Sequence, residues 1–434
     1  MMLNKTSSRL TAIYSLLKAK SPSELAIYQE KQLQKIVRHA YENVPYYQKL
    51  FQQHNITPQK IKTLSDLSLI PITDRPTIQA CKAEEIIANG LHSKNLLNIT
   101  TGGSSGIPLT VYRSWVEERL LNQFRWRALH SYGLKARDKI CYVRFAYNTP
   151  GENQFLQQVI KKIGYYQTSV IDCLQPISKI IDLLAKSKAD VIVCFPVVMQ
   201  RVAQMMLDEG KTIASPKFIA IGGEVLTQEM KATISQAFQA PVFNTYGSNE
   251  FNLIAWECPV SRDLHLCQDN VIVEILKNGQ EIKSGESGEI VVTGLNSFSM
   301  PFIRYRLADL VTKGDPQCSC GQPFPTIKQV IGRMNDYLVL PDGQETHPLI
   351  LLPIIRSASW IKGYRLIQEK MDYLILNVII SKTPSNLELE SLKEKICLAL
   401  KAKLQIDINF VDELTLEKSG KFRIFQSRVK SAYK

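Results

Sequence analysis

Apolar positions near the amino terminus repeat at the spacing of a helix. In residues 23–44 they fall at Leu33, Ile36, Val37, Ala40, Tyr41 and Val44. This spacing places the apolar side chains on one face of a helix. Pro45 follows, and a helix interior does not accept proline. We therefore predict a helix over residues 23–44, within a mostly helical opening segment that covers residues 1–95.

The middle of the chain alternates between helical and strand patterns. It reads as a helix in "KIIDLLAKSKA", a short buried strand in "DVIVCF", a helix in "VVMQRVAQMMLDEG" and a second strand in "KFIAIGGE". Helices that alternate with short apolar strands predict an α/β fold with a parallel sheet covered by helices. Ligands bind such sheets at the carboxyl ends of the strands. Polar turns rich in glycine occupy three candidate positions: 100–106, 221–224 and 245–250.

From about residue 269 the pattern changes to strands that alternate polar and apolar side chains. "NVIVEIL" and "GEIVVTGL" are two of them, and they indicate an antiparallel or small β-barrel-like subdomain. After "IGRMND" comes a helical "LELESLKEKICLALKAKL". We predict a large N-terminal α/β domain over 1–332 and a small mobile α+β domain over 333–434, with a hinge near Arg333–Asp336.

Composition places the chain among ordinary globular proteins. It has 434 residues, of which 45% are hydrophobic and 21% charged. No run approaches the ~18 apolar residues that a membrane-spanning helix requires, so we expect no membrane partner. The nine cysteines lack a closely spaced framework, which favours a reducing, cytoplasmic location. The basic first twenty residues have no cleavage signature, and an amphipathic helix is favoured there over a targeting peptide.

The net charge of +13 raises the possibility of a nucleic-acid partner. Lysines and arginines are, however, spread along the chain among acidic residues, and no nucleic-acid-binding motif is present. We therefore expect no nucleic-acid partner. A basic surface also suits small polyanions such as nucleotides, while plain solvation is the commonest role of such charge.

Taken singly, each glycine turn is weak evidence of function. "TTGGSSG" could hold phosphate through backbone N–H groups and hydroxyls, but Ile107-Pro108 replaces the Lys-Ser/Thr of a P-loop. A ligand-free surface loop is the alternative. Glu250 in "YGSNE" offers carboxylate oxygen to Mg²⁺. Asp309 in "RYRLAD" would usually belong to a surface ion pair. Lys421 in "EKSGKF" would usually be a solvated lysine.

The order of these motifs along the chain is far more specific. The loop, "GGE", "YGSNE", "RYRLAD", "GRMND" and "SGK" together resemble the adenylate-forming superfamily of acyl-CoA ligases. More narrowly, they are similar to the phenylacetate–CoA ligase family, with its capsule-biosynthesis and coenzyme F390 synthetase relatives. The opening "VPYYQKLFQQHNITPQKIKTLSDLSLIPITDR" is similar to that family as well, so the resemblance spans nearly the whole chain.

This resemblance implies a role for each motif residue. The β- and γ-phosphates of ATP would be held by Thr101, Gly102, Gly103, Ser104, Ser105 and Gly106. Adenine would lie against Gly222, Gly223, Glu224 and Tyr246, and Gly247 would also belong to the ATP site. Glu250 would bind Mg²⁺, and Asp309 and Arg333 would reach the ribose. Lys421 would bridge the substrate carboxylate and the α-phosphate. The large domain would then be an adenylation domain and the small one its rotating lid.

Two positions depart from the family pattern. The family usually has Thr-Gly before the ribose aspartate, whereas this chain has Leu307-Ala308. A lysine often follows the phosphate loop, and here Ile107 takes its place. Neither change removes a charge that the chemistry needs, so we interpret the adenylation site as complete.

Four residues are candidates for a structural zinc site. Family members similar to this chain carry Cys and His at the positions of Cys258 and His265, together with the "CxCG" of Cys318 and Cys320. Three thiolates and one imidazole would close a tetrahedral Zn²⁺ site. Unmetallated core thiols are the alternative, and Cys267 could replace one ligand.

Three functional hypotheses remain open from the sequence. The leading one is an ATP-dependent ligase that makes an acyl-AMP from a small carboxylic acid and transfers the acyl group to coenzyme A. The second passes the acyl group to an amine, a hydroxyl or a carrier-protein thiol. The third is a nucleotide-binding protein without catalysis, which the presence of Glu250 and Lys421 disfavours. Asn252 and Trp256 indicate a polar or aromatic acid, and family precedent indicates a homodimer.

Overall fold

The computed structural model describes residues 21–100, 109–144, 167–333, 338–346, 348–414 and 425–429. The first twenty residues, the predicted phosphate loop at 101–106, the predicted hinge residues 334–336 and Lys421 lie outside these ranges.

The opening helix ends where the sequence predicts. Helix α1 spans Pro22–Asn43 and begins with a capping box in which Ser21 and Glu24 satisfy each other's backbone N–H. Val44 is extended, as expected before proline. Pro45 then starts helix α2, Pro45–Gln53. The predicted apolar face is buried: Leu33, Ile36, Val37 and Ala40 are each 0% exposed.

Two short helices and a hairpin lead from this segment to the main sheet. The helices are α3 (Arg75–Gln79) and α4 (Ala83–Ile86). The hairpin pairs β1 (Leu97–Thr100) with β2 (Thr110–Arg113) in antiparallel register, Thr100 opposite Thr110. The predicted phosphate loop connects these two strands. Helix α5, Trp115–Ser131, follows directly and begins with a capping box of Ser114 and Glu117.

A parallel run of strands forms the centre of the molecule, as the alternating pattern predicts. Its spatial order is β4-β3-β5-β6-β7. The bounds are β3 Ile140–Arg144, β4 Thr168–Asp172, β5 Val191–Cys194, β6 Phe218–Gly222 and β7 Val242–Ser248. The helices between them are α6 Ile177–Ser187, α7 Pro196–Asp208 and α8 Gln228–Phe238. Pro196, which directly follows the predicted strand "DVIVCF", is the first residue of α7.

Each face of this parallel run packs against different helices. On one face Cys141, Ile192 and Ile219 join a core with α6, α7 and α8. On the other face Val191, Phe218 and Ala220 join a core with apolar residues of α5, among them Leu121, Phe124 and Ala128. Helix α5 therefore covers one face of the sheet while the three connecting helices cover the other.

The later strands are antiparallel, as their alternating pattern predicts, and hydrogen bonding makes them continuous with the parallel strands. From β7 the twelve-stranded sheet continues in the order β8-β9-β14-β13-β12-β10-β11. The bounds are β8 Asn252–Glu257, β9 Leu264–Leu266, β10 Val271–Lys277, β11 Gln280–Glu281, β12 Ser287–Gly294, β13 Tyr305–Lys313 and β14 Thr326–Arg333.

The C-terminal part is an α+β unit with its own core. A four-stranded sheet has the order β19-β18-β17-β20, and apolar residues of helix α10 pack against it. The bounds are β15 Leu338–Val339, β16 Glu345–Thr346, α9 Leu352–Ser357, β17 Ile361–Lys370, β18 Tyr373–Ile380, α10 Asn386–Leu400, β19 Gln405–Phe410 and β20 Phe425–Ser427.

Internal contacts divide the chain into two compact units. The first comprises residues up to Leu307 together with Val311–Ile331, and the second comprises Ala308–Leu310 and the chain from Gly332 onward. The division between Ile331 and Gly332 falls one residue before the predicted boundary. Among the described residues, no helix combines the length and the apolar content that a membrane span requires.

Candidate functional site

Two of the three predicted turns lie side by side at one edge of the sheet. Strands β6 and β7 are parallel neighbours, and Gly222 is in register with Thr245. Gly222–Glu224 and Tyr246–Glu250 therefore leave the carboxyl ends of adjacent strands, where such sheets bind ligands. Glu250 is 5% exposed, and the Tyr305 hydroxyl lies 3.4 Å from its Oε1.

The glycines of these turns are required by backbone packing. A Cβ on Gly247 would lie 2.0 Å from the carbonyl oxygen of Asn252, and one on Gly222 would lie 2.4 Å from Thr245 Oγ1. Gly223 has φ +90°, a left-handed conformation that glycine adopts without strain. At both turns the chain folds back too closely for any larger residue.

The two adenine-contact candidates with large side chains are well anchored. Glu224 Oε2 lies 3.5 Å from the Val197 backbone N–H, at the start of α7, where the helix dipole favours a carboxylate. Tyr246 is only 9% exposed and belongs to the core beneath α5. Contact between Tyr246 and adenine stays a prediction.

The remaining nucleotide candidates lie on other elements of the chain. Asp309 lies half-buried in β13, directly after Ala308, whose φ of +59° is left-handed. Arg333 is the last residue of β14. Thr101, Gly102, Gly103, Ser104, Ser105, Gly106 and Lys421 lie outside the described residues.

The four predicted zinc ligands come together. Cys258, His265, Cys318 and Cys320 place their donor atoms within 4.8 Å of one another. The Sγ atoms of Cys318 and Cys258 are 3.7 Å apart, and Cys320 Sγ lies 3.3 Å from His265 Nε2. For Zn–S bonds of about 2.3 Å, sulfurs at the corners of a tetrahedron lie about 3.8 Å apart. The donor set and its spacing therefore fit Zn²⁺.

The surroundings of this cluster also suit a metal. His265 Nδ1 lies 3.1 Å from the Phe324 carbonyl oxygen, which leaves Nε2 to face the thiols. Burial raises the pKa of Cys258, but hydrogen bonds from Ser261, Val260 and Cys320 outweigh it and hold the pKa below its ordinary value. Burial raises the pKa of Cys320, so the two thiols favour one negative charge between them, and thiolate is the form that binds zinc.

Cys267 lies outside the cluster, in contrast to its suggested role as a replacement ligand. Its sulfur is 2.9 Å from Arg127 Nη2 and 3.5 Å from Asp269 Oδ1. The Arg127 guanidinium carbon lies 4.7 Å from the Trp256 ring centroid and 4.9 Å from that of Phe324. Trp256 is thus buried between this cation and the zinc candidates.

Apart from Asn252, the members of a polar cluster around α5 were missed at the sequence level. Arg113 Nη1 donates to Glu118 Oε2 at 3.0 Å, and Asn122 donates to Glu118 Oε1 at 3.1 Å. Asn252 Nδ2 in turn donates to Asn122 Oδ1 at 3.3 Å. These residues come from β2, α5 and β8, so no local motif marks them. Charged side chains on a helix that packs against a sheet were the one available signal.

Comparison with known families fits this arrangement of motifs. Residues 167–300 match the model of the AMP-binding enzyme family, and residues 338–428 match the model of the CapK C-terminal domain. The chain belongs to the adenylate-forming ligases. The predicted family and the predicted enzyme class are thereby confirmed.

Two curated relatives illustrate the likeness in sequence. The phenylacetate–coenzyme A ligase of Aromatoleum evansii is 26% identical over 329 residues, which cover 74% of this chain and 73% of that protein. Protein CapK of Staphylococcus aureus is 22% identical over 438 residues, which cover 94% of this chain and 90% of that protein.

Solved structures show the same fold. A 2-hydroxyisobutyryl-CoA ligase in its postadenylation state superposes with a TM-score of 0.77 at 17% identity, over 95% of this chain and 91% of that one. The O-succinylbenzoate–coenzyme A synthetase of Bacillus subtilis, bound to ATP and magnesium, superposes with a TM-score of 0.52 at 19% identity. The superposition covers 75% of this chain and 68% of that one. The predicted α/β fold with a smaller α+β C-terminal part is confirmed.

Proposed function

We propose that the protein activates a carboxylic acid with ATP, forming an acyl-AMP and pyrophosphate, and then transfers the acyl group to the thiol of coenzyme A. The observation that carries the proposal is the adjacency of two motif turns. Gly222–Glu224 and Tyr246–Glu250 leave neighbouring parallel strands at the same edge, with Glu250 buried between β7 and β8.

The first half-reaction joins two anions. The substrate carboxylate must approach an α-phosphorus that already carries negative charge, so the barrier consists largely of repulsion and alignment. Glu250 is the residue that would hold Mg²⁺, and the ion would supply positive charge to the phosphates. Thr101–Gly106 would position the terminal phosphates, Asp309 and Arg333 the ribose, and Lys421 the reacting carboxylate.

The C-terminal unit would complete the site as a mobile lid. Its separate core supports movement as one body about the hinge near residues 333–336. Rotation would remove Lys421 after adenylation and admit the thiol.

A different acyl acceptor is the second candidate. The alignment with protein CapK covers 94% of the chain, against 74% for the phenylacetate–coenzyme A ligase of Aromatoleum evansii. The C-terminal unit also matches a CapK family model. Because the fuller match is to a protein whose name does not include coenzyme A, we retain transfer to an amine, a hydroxyl or a carrier-protein thiol as the alternative second step.

We also propose a structural zinc ion bound by Cys258, His265, Cys318 and Cys320. Four protein ligands leave no open position for substrate, so the ion would stabilise the fold rather than take part in the reaction. It would join the segment after β8 to the segment after β13.

Acid-dependent exchange of pyrophosphate into ATP tests the adenylation step. A panel of aromatic and short aliphatic acids is assayed, with hydroxylamine to trap the activated acyl group. We expect exchange with at least one acid, and Lys421→Ala to lower it at least 100-fold because a charge that stabilises the transition state is lost. Lys403→Ala, a change at an exposed lysine of the same unit, is the control.

Two outcomes separate the hypotheses. Nucleotide binding without exchange, unaffected by Lys421→Ala, would identify a non-catalytic nucleotide-binding protein. Exchange without consumption of coenzyme A would retain adenylation and assign the acyl group to another acceptor.

A further inference from the structure

Two arginines, one on α5 and one on the sheet that α5 covers, have no carboxylate partner among the described residues. Arg125 lies on α5, and Arg144 is the last residue of β3. Neither makes an ion pair or a hydrogen bond through its guanidinium to any other described residue, and Arg144 Nε is buried without a partner. The Arg144 guanidinium carbon lies 5.1 Å from the Tyr142 ring centroid.

The nearest carboxylates are already engaged. Both oxygens of Glu118 accept hydrogen bonds, from Arg113 and from Asn122. Asp172 stands beside Arg144 in the parallel register, but its Oδ1 accepts from the Leu174 backbone N–H at 3.1 Å. The cluster therefore holds more positive than negative charge.

Three polar residues share one face of α5. Glu118, Asn122 and Arg125 are spaced four and three residues apart along this helix. Desolvation by the surrounding protein lowers the pKa of Arg125, the attraction of Glu118 partly offsets this, and Arg113 and Arg144 add repulsion, so both of these arginines lie near Arg125. Arg125 itself stays exposed, where an anion can reach it.

An unsatisfied polar atom also lies two residues after the predicted magnesium ligand. Asn252 is 4% exposed, and its Oδ1 has no hydrogen-bond partner. Its Nδ2 donates to Asn122, on the same helical face as Arg125. Asn252 follows Glu250 by two residues, so the polar chain runs from the predicted magnesium ligand to the arginines.

The order of the strands in the sheet sets how far Arg144 lies from Glu250. Arg144 ends β3 at the same carboxyl edge as Gly222 and Glu250, because these strands are parallel. Strand β3 is three strands from β7 in the order β3-β5-β6-β7, which corresponds to about 14 Å at the usual strand spacing. An extended ligand anchored near Glu250 can therefore reach Arg144.

We propose that Arg125 and Arg144 bind a second anionic group at the far end of the acid substrate. This inference rests on the proposed adenylation, which activates the carboxylate nearest Glu250. The substrate class is an elongated acid that carries a second carboxylate or a comparable anion. Guanidinium groups suit this role because they form paired, charge-assisted hydrogen bonds with carboxylates.

Matched acids of equal length test the assignment. Pyrophosphate exchange is measured with straight-chain α,ω-dicarboxylic acids from succinate to sebacate and with the monocarboxylic acids of the same chain lengths. We expect the wild-type protein to prefer diacids, most strongly among the longer members. Arg125→Gln and Arg144→Gln should each lower the diacid-to-monoacid ratio of kcat/KM by about 10- to 100-fold, the range for a lost charge-assisted hydrogen bond.

A charge-reversed variant gives a second test of whether the charge of Arg125 selects the substrate. Arg125→Glu should shift the preference from a diacid to the ω-amino acid of the same length. Arg119→Gln, on the exposed side of the same helix, should leave the ratio unchanged. Thermal melting of each variant separates a lost contact from a lost fold.

The possible failures are distinguishable. Equal use of diacids and monoacids by the wild-type protein, with no change in Arg125→Gln, would overturn this inference and leave adenylation intact. A raised KM for ATP with every acid would assign the arginines to the nucleotide instead. Absence of exchange with any acid would refute the proposed adenylation itself.

Discussion

Arg127 Nη2 donates to Oδ1 of Asp269 at 2.9 Å, and the accepting side chain is 1% exposed. The pair joins α5 to the segment that precedes β10. Burial lowers the pKa of Arg127, but the Asp269 and Cys267 side chains outweigh it and hold the pKa above its ordinary value. The guanidinium is therefore charged, and it packs against the rings of both Trp256 and Phe324.

We expect Arg127→Ala to lower the free energy of unfolding by about 3–5 kcal/mol, because it leaves Asp269 buried without its partner. Arg127→Ala combined with Asp269→Ala should lose clearly less than the sum of the single changes. Urea denaturation of the four proteins measures both quantities. If Arg127→Ala matched the exposed Arg119→Ala to within about 0.5 kcal/mol, the pair would have no stabilising role.

The zinc proposal predicts one Zn²⁺ per purified chain by elemental analysis. Cys320→Ser should remove most of it, because a hydroxyl is a poor zinc ligand, and should lower the melting temperature by several degrees. Cys81→Ser changes a thiol outside the cluster, which donates to the Thr77 carbonyl, and should keep the metal. A zinc-free wild-type protein with an unchanged melting temperature would contradict the proposal.

Gly247 tests the close approach of β7 and β8. A methyl group there would meet the Asn252 carbonyl oxygen at 2.0 Å, and a backbone atom cannot move aside. We expect Gly247→Ala to destabilise the protein by about 3 kcal/mol or more and to reduce pyrophosphate exchange, since Glu250 follows in the same hairpin. In Gly363→Ala the new Cβ makes only ordinary contacts at 3.6 Å, and this control should retain exchange. Full activity in Gly247→Ala would show that the hairpin can relax.

Gln368 should be a principal determinant of stability in the C-terminal unit. It is 0% exposed, its Oε1 accepts from the Val339 backbone N–H at 3.0 Å, and its Nε2 donates to the Val339 carbonyl at 2.7 Å. Ser427 Oγ donates to the same Oε1 at 2.8 Å. Gln368→Leu removes these bonds, together with a longer one from Nε2 to the Met371 carbonyl oxygen, and leaves buried polar groups unpaired, so we expect a loss of about 2–4 kcal/mol in urea denaturation.

Gln405→Leu is the matched control for this change, because Gln405 is exposed on β19. It should alter stability by less than about 0.5 kcal/mol. Equal losses in the two variants would refute the role of the buried amide.

The sequence predicts the regular parts of this fold well because each has a local cause. Helix α1 ends at Asn43 since Pro45 cannot continue it, and the strands at Val191 and Phe218 are short apolar runs between amphipathic helices. The joining of parallel and antiparallel strands into one sheet was not predictable. It depends on pairing between β7 and β8 and on long-range contacts such as His265 with Thr326.

The candidate site also has one part that local sequence predicts and another part that only the fold brings together. Glycine turns and spaced cysteines can be identified from neighbours along the chain, and the structure brings Cys258, His265, Cys318 and Cys320 together as expected. The arginines were missed because Arg125 and Arg144 lie on separate elements with ordinary local sequence. Only the packing of α5 on the sheet makes them neighbours.

The backbone conformation of Ala308 affects how relatives of this protein can be found. It stands where the family pattern usually has glycine, and its backbone is left-handed, φ +59°, directly before Asp309. Non-glycine residues adopt this conformation at a cost of roughly 1 kcal/mol, so this position has a backbone conformation that suits glycine although alanine occupies it. A search for relatives that demands glycine before the aspartate would discard proteins like this one, whereas a search for the backbone conformation would find them.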